Sequence, residues 1–507
     1  MKVAAALAAL LCLFLRRCDG KSCGADFAEI DDSLSGRRVP TEHSNNAACR
    51  NVHEGDETGG VAANSLLQHQ HGHDATEGRA TKMLAFVEET QADSTVVDSA
   101  MVQVGAGGER VNVRLVIHKS SEVYRTGNGT WIIAFPEGCT NSDLVKLRQN
   151  VPVNSTARFA GSPDEGGLCV FMMTGTNQRI KEELEKHGFS SKPLVETVSE
   201  FDPVPEMQEE GSSLLERRQG LPWGLDRIDD RKGLNDAYIP EFSGTGVHVF
   251  VFDSGIRVTH TDFGGRAMPT MEVRSSGGAV VECNSDDVTC AADKTGHGTH
   301  CAGIIGGKTY GVAKDVRLHA VKIIDEQNKG GSWFFITAMN SFLAHVADRD
   351  WMPAVVSVSM SGPGDSGSVE MAVNNAVKMG VTVVASAGNE GRSSKNDACG
   401  YQPGYVPNSI TVGATDGTDR RASYSNKGPC LDMFAPGSFT ASTGHESDDQ
   451  ERFQSGTSPA CPHVSGAVAL LLSGDPTLMP HTVRDELIKR ATPDVVSDAG
   501  SGSPNPL

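Results

Sequence analysis

Four short blocks of this chain carry the side chains needed to make and break an acyl bond. Asp253 ends the apolar run V-F-V-F-D-S-G, His297 stands in G-H-G-T-H, Asn389 in A-S-A-G-N and Ser458 in S-G-T-S-P-A-C-P-H-V-S-G. A serine hydroxyl is a poor nucleophile near neutrality, so Ser458 needs a base within hydrogen-bond reach, and the imidazole of His297 suits that role. Asp253 would hold the ring in the tautomer that turns its other nitrogen toward the serine, and would stabilise the imidazolium formed during attack. The Asn389 amide would donate to the oxyanion of a tetrahedral intermediate together with the backbone N–H of Ser458; losing such a donor raises the barrier by about 2.7–4 kcal/mol. One block alone means little, because G-T-S and H-G-T-H are common at turns and helix starts. Four together, in the order Asp, His, Ser, are specific, since triads on other folds run in different orders. The G-x-S-x-G elbow is absent, because Ala460 stands where its last glycine belongs.

Apolar runs at residues 247–252, 316–324, 355–360, 381–385 and 410–414 read as buried strands, separated by helical patterns over 297–305, 333–347 and 368–379. Short apolar strands alternating with helices predict an α/β fold, a mostly parallel sheet covered by helices on both faces. Sites in such folds form beyond the C-terminal ends of the strands. Asp253 and Asn389 each lie just past such a run. Ser458 is predicted to precede a helix through residues 464–472, with Pro459 as its first helical residue. Proline there gives up an N–H that has no partner anyway, and it biases the preceding serine toward an N-cap conformation.

These blocks resemble those of the subtilisin superfamily and, within it, the secreted proteinase K-like subtilases. The resemblance runs from about Pro222 in L-P-W-G-L-D-R-I-D to the terminal S-P-N-P-L. It takes in G-V-A-K-D-V-R-L-H-A-V-K, S-I-T-V-G-A-T-D, R-R-A-S-Y-S-N-K-G and L-D-M-F-A-P-G. Pro459 stands where many relatives carry Met, and Met360-Ser361-Gly362-Pro363 where many carry Leu-Gly-Gly. The resemblance implies a serine endopeptidase with a subtilisin-like fold, made as a self-processing zymogen. Segments around Gly330 and Trp333, and around Met360, Ser361 and Gly362, would pair with a peptide backbone as added strands. Ala385, Ser386, Ala387 and Gly388 would line the S1 pocket; being small and uncharged, they imply apolar or aromatic P1 side chains and no carboxylate to favour Arg or Lys. A Ca²⁺ site is implied at Asp432 and the carbonyls of Pro407 and Ser409, all hard oxygen ligands. A disulfide between Cys399 and Cys430 is implied as well. Cys283 and Cys290 bracket a polar loop that a second bridge would close. Cys301 and Cys461, on the helices presenting His297 and Ser458, read as buried thiols, with a bridge between them as the alternative.

The chain of 507 residues has room for two or more domains, and residues 219–507 make one peptidase unit of ordinary size. The apolar residues 3–15 behind Lys2 read as a cleaved secretory signal within residues 1–20 rather than a membrane span. Arg16 and Arg17 leave its cut site open. Secretion fits the twelve cysteines and the sequons at Asn128 and Asn154. Partners for Cys12, Cys18, Cys23, Cys49, Cys139 and Cys169 are not legible. The net charge of −19 argues against nucleic acid or an anionic membrane. Expected partners are protein or peptide substrates and the chain's own propeptide, on a monomeric enzyme. Residues 21–110 are expected to be a polar, disordered linker, its H-Q-H-G-H run at 69–73 solvated rather than metal-binding. Residues 111–218 show strand and helix patterns of a small α+β module that resembles the family's propeptide, a folding chaperone and an inhibitor whose tail occupies the cleft. Maturation is expected between residues 211 and 221, a polar stretch containing Leu214-Leu215 and Arg217-Arg218.

Overall fold

The computed structural model describes residues 96–104, 111–118, 121–151, 155–186, 191–203, 221–274, 279–327, 329–346 and 348–507. The signal segment, the histidine run, Asn154, Cys12, Cys18, Cys23, Cys49 and most of the expected maturation window lie outside them.

The N-terminal module carries strands β1 (Val96–Val104), β2 (Val111–His118), β3 (Asn128–Ala134), β4 (Thr156–Ala160), β5 (Val170–Thr176), β6 (Leu194–Thr197) and β7 (Glu200–Pro203). Its helices are α1 (Glu122–Thr126), α2 (Asn141–Gln149) and α3 (Asn177–Lys186). Six strands form one sheet in the order β1-β2-β6-β3-β5-β4. The expected linker is therefore shorter than residues 21–110, because β1 pairs antiparallel with β2 along its length. The stretch V-V-D-S-A-M-V-Q-V is rich in strand-forming valine, and its backbone partners come from β2 rather than from any apolar periodicity of its own.

The second region begins with α4 (Trp223–Ile228), β8 (His248–Asp253), β9 (Ala267–Val273), β10 (Val280–Glu282), α5 (His297–Gly306), β11 (Arg317–Lys322), β12 (Gly330–Gly331), α6 (Ser332–Val346), β13 (Ala354–Val358), β14 (Met360–Pro363) and α7 (Gly367–Lys378). It continues through β15 (Thr382–Ser386), β16 (Tyr401–Gln402), β17 (Ile410–Thr415), β18 (Met433–Pro436), β19 (Thr440–Thr443), β20 (Glu451–Gln454), α8 (Thr457–Gly474) and α9 (Pro480–Arg490). Its main sheet has the order β10-β9-β11-β8-β13-β15-β17-β18, parallel throughout except for the edge strand β10.

Period-two alternation explains why both faces are apolar. Phe250 and Phe252 of β8 point into one core with Phe335 and Phe342 of α6 and Val369 and Val373 of α7. Val249 and Val251 point into the other, with Cys301 and Ile305 of α5 and Val464 and Val468 of α8. Each such side chain, fully buried, contributes about 1.5–3 kcal/mol. The N-terminal module shares this construction. Ile132, Ala134, Val170 and Met172 join the α6–α7 core, whereas Trp131, Ile133 and Phe171 face the module's own helices.

A buried carboxylate ties the two regions together. Glu196 of β6 accepts from Ser366 Oγ at 2.6 Å, Gly367 N at 3.2 Å and Ser368 N at 3.1 Å, and also from the Ser368 hydroxyl, so it caps α7 from outside the peptidase region. His118 Nε2 stands 3.7 Å away, at ion-pair distance. Burial alone would raise the Glu196 carboxyl, but the His118 imidazole and the two serine hydroxyls outweigh it and hold it below its ordinary value. A carboxyl held low stabilises docking above its ordinary value of 4.5 and loses that contribution as pH falls through the depressed one. In a Ser458→Ala background, acidification below that range should loosen the module, seen as faster limited proteolysis of the segment between Pro203 and Leu221. Glu196→Ala should do the same at neutral pH, weakening docking by about 2–5 kcal/mol.

Candidate active site

Asp253 is the last residue of β8, a central strand flanked by β11 and β13, and its side chain is fully buried. Its Oδ1 accepts from His297 Nδ1 at 2.7 Å and from the backbone N–H of Ser254 at 2.7 Å. His297 opens α5, whose first amides lack partners within the helix. A carboxylate that sequence reading missed supplies them. Asp293 accepts from Gly296 N and Ser254 Oγ at 2.9 Å and, through its other oxygen, from Thr299 N at 2.9 Å and Thr299 Oγ1 at 2.6 Å. Ser254 Oγ in turn accepts from Gly298 N at 2.9 Å, so the end of β8 and the start of α5 form one hydrogen-bonded unit. Burial would raise the Asp293 carboxyl, but the Thr299 hydroxyl and these backbone amides outweigh it and hold it low. Gly298 permits the approach: a Cβ there would lie 2.2 Å from the Gly255 carbonyl oxygen.

Helix α8 starts at Thr457, two residues earlier than expected, so Ser458 is its second residue and not its N-cap, and Pro459 its third. The substitution remains free of cost because none of the first four helical N–H groups has an intrahelical acceptor. The decisive proline is Pro462, inside the helix. Lacking an N–H, it cannot bond the carbonyl of Ser458 four residues back. That carbonyl instead accepts from Ser359 Oγ at 3.1 Å and from the Cys301 thiol at 3.8 Å, while Ser458 Oγ donates to the Ser359 carbonyl at 2.9 Å. The nucleophile candidate is thus anchored to the residue that precedes β14.

Asn389 follows β15, as its apolar run predicts. Its Oδ1 accepts from Thr457 N and from Thr457 Oγ1, each at 2.9 Å, which fixes the amide and leaves Nδ2 buried with no hydrogen-bond partner among the described residues. A buried donor of this kind beside the N-terminus of α8 has the chemistry to stabilise negative charge.

Both segments expected to hold a peptide backbone pair instead with one extended strand of this same chain, which lies between them. β7 pairs antiparallel with β12, Gly330 opposite Phe201, and with β14, Met360 opposite Pro203 and Ser361 opposite Asp202. Gly362 pairs with Gln402 of β16, and Trp333 is half-buried at the start of α6. Ala385, Ser386 and Ala387 are fully buried. At Gly388, whose φ is +97°, a Cβ would meet Asn426 Nδ2 at 2.5 Å and Glu390 Oε2 at 2.7 Å. This corrects the expectation of a wall without a carboxylate. Glu390, fixed by Asn426 Nδ2 at 2.8 Å, comes from the loop after the Asn389 block, and sequence spacing gives no sign of where a loop side chain turns.

Residues 244–504 match the Subtilase family, Peptidase_S8. That span is just over half of the chain and holds all four blocks. The chain belongs to the subtilase family. It is 45% identical over 286 residues to the "Extracellular serine proteinase" of Thermus sp. (strain Rt41A), covering 56% of this chain and 65% of that relative, less than two thirds of its length. It is 38% identical over 372 residues to "Subtilisin-like protease 1" of Pseudogymnoascus destructans (strain ATCC MYA-4855 / 20631-21), covering 73% of this chain and 86% of that one. An alignment of that extent must include part of the N-terminal module. Among solved structures, a cold adapted subtilisin-like serine proteinase matches with a TM-score of 0.51 and 37% identity, over 57% of this chain and 98% of that one.

Subtilases commonly bind calcium, but in this one two of the three oxygens implied as ligands are engaged otherwise. Arg484 Nη1 donates to the Pro407 carbonyl at 2.9 Å and Nη2 pairs with Asp432 Oδ1 at 2.6 Å, while Ser409 is buried nearby in the chain. The set does not fit calcium as it stands. Disulfides join Cys283 to Cys290 and Cys399 to Cys430, and a third, Cys139 to Cys169, crosslinks the N-terminal module. Asn128 is exposed at the start of β3. Cys301 and Cys461 are buried and form no disulfide among the described residues. Ligand atoms of Cys301, His297 and Asp253 lie within 4.8 Å of one another. Burial, with the charge of Asp253 adding to it, keeps the Cys301 thiol protonated and therefore a poor nucleophile.

Denatured, unreduced peptidase region should therefore titrate two thiols, Cys301 and Cys461. Mercurials should inhibit the wild type, because an adduct on Cys301 displaces His297 and a shift of about 1 Å costs on the order of 10²-fold in rate. Cys301→Ala should remain active and resist them. A titre of zero would contradict the assignment.

Proposed function

We propose that this subtilase is a secreted serine endopeptidase of broad specificity, made as a zymogen and cut by its own active site. The observation that carries the reading is β7. A peptide backbone already lies between β12 and β14 and reaches Met360, the neighbour of Ser359, whose carbonyl accepts the Ser458 hydroxyl. Main-chain pairing of this kind holds peptides with little demand on sequence, as an endopeptidase requires. Extracellular naming of the Thermus relative and the apolar N-terminal residues support secretion.

In this reading Ser458 Oγ turns from the Ser359 carbonyl toward His297 Nε2, transfers its proton there and attacks the scissile carbonyl. Asp253, buried and bonded to Nδ1, compensates the imidazolium. The oxyanion takes hydrogen bonds from Asn389 Nδ2 and the Ser458 backbone N–H. His297 then protonates the departing amine, and water releases the acyl group by the reverse path. The small buried residues 385–387 favour apolar or aromatic P1 side chains, with Glu390 at the Gly388 wall giving a secondary tolerance of lysine. Residues 111–218 act as the inhibitory propeptide, their tail β7 in the substrate position. Calcium at Asp432 has no part in this reading.

Ser458→Ala should abolish peptidase activity and leave the chain uncut; wild-type-like maturation of that variant in a protease-free expression system would refute self-processing. An organophosphonate probe should label Ser458, and failure to label correctly folded protein would favour a catalytically silent binding protein. Asn389→Ala should lower kcat by about 10²–10³-fold with little change in KM. N-terminal sequencing of the active form should give a start between residues 211 and 221. On a peptide library, Glu390→Gln should reduce cleavage after lysine while sparing leucine and phenylalanine.

A further inference from the structure

Three features converge on Arg484. First, one planar guanidinium reaches both the Pro407 carbonyl, at 2.9 Å, and Asp432 Oδ1, at 2.6 Å, through separate N–H groups. Second, the other carboxyl oxygen of Asp432 accepts the backbone N–H of Thr411 at 2.7 Å, so both oxygens are engaged. Third, Arg484 is held in place by its helix: Val483 and Leu487 of α9 are buried in the α5–α8 core, and the Asp432 and Arg484 side chains are only 2% and 14% exposed.

We propose that the Arg484 guanidinium permanently replaces the calcium ion at this position. A Ca²⁺ ion needs six to eight oxygens at short range, and here two of the three implied ones face a fixed positive charge that would repel it. The two cations meet the same requirement. Each neutralises a buried carboxylate and joins the segment before β17 to the strand beyond it. They differ in how they can be removed. An ion is lost to a chelator or to dilution, whereas a guanidinium is covalently attached and stays charged throughout the accessible pH range. The stretch from Pro407 to Thr411 leads into β17, which pairs with β15 next to the Ala385 wall, so this substitution makes that wall independent of calcium supply. The inference concerns the cation site alone and does not depend on the catalytic reading.

The test is a calcium count on desalted full-length protein in a Ser458→Ala background, after equilibration with millimolar CaCl₂. The otherwise unchanged protein and Asp432→Asn should hold equal calcium. Arg484→Ala should hold one equivalent more, lost again in Arg484→Ala/Asp432→Asn, and EDTA should lower the Tm of Arg484→Ala by more than that of the parent. A parent that loses an equivalent on Asp432→Asn would overturn the proposal, because calcium would then bind despite the arginine. Arg484→Ala that folds and gains none would overturn it as well, making the contact an ordinary ion pair. Should Arg484→Ala fail to fold, the parent and Asp432→Asn comparison decides alone.

Discussion

The tie between β8 and α5 is the constraint on which the site depends. Asp253 belongs to a strand and His297 to a helix, and nothing in the chain's local geometry holds those two elements at 2.7 Å. Asp293 does so, by accepting hydrogen bonds from the turn before α5, from its first turn and from Ser254 at once. Lys322 adds to this from β11, its Nζ donating to the Ser254 and Ala292 carbonyls at 2.9 Å each. The relative orientation of Asp253 and His297 is therefore a property of one buried polar network, in which backbone amides and the hydroxyls of Ser254 and Thr299 converge on Asp293. Such networks are rigid because any displacement leaves several buried partners unpaired together.

The second half of the site is built on the opposite principle, a hydrogen bond that cannot form. Pro462 removes one rung of α8, and the carbonyl released by that loss anchors Ser458 to Ser359 and so to the start of β14. The Ser359 hydroxyl and the Cys301 thiol meet at that one oxygen. Apolar packing then fixes the distance between the two halves, since α5 and α8 share the core formed by Val249 and Val251.

Much of this was legible in the residues. Runs such as V-F-V-F and V-V-A-S predict buried parallel strands because alternation puts apolar side chains on both faces, and β8, β11, β13, β15 and β17 lie where those runs lie. Asp253 and Asn389 follow from the same pattern, since one ends a strand and the other lies just past one. What the sequence hid depends on tertiary partners. β1 has no apolar rhythm of its own and is defined by β2. Asp293 lies in a polar loop whose composition looks like any turn. Glu390 and Arg484 are charged residues that read as solvated surface, and only the chain's return path shows that one reaches the Gly388 wall and the other Asp432. Motif resemblance gave the oxygens of an ion site, but not the arginine standing in it.

Glu196 has a consequence for how the molecule keeps time. While the chain is continuous, the carboxylate and the helix end it caps are tethered, and their effective concentration lies in the millimolar range typical of short links. Were the segment between Pro203 and Leu221 cut, as the proposed self-processing requires, the same contacts would become an equilibrium between two separate bodies, with affinity unchanged and concentration free to fall. Dilution then acts as a signal in its own right. A crowded compartment would keep the pair together, whereas release into a large volume would part them without any further chemistry.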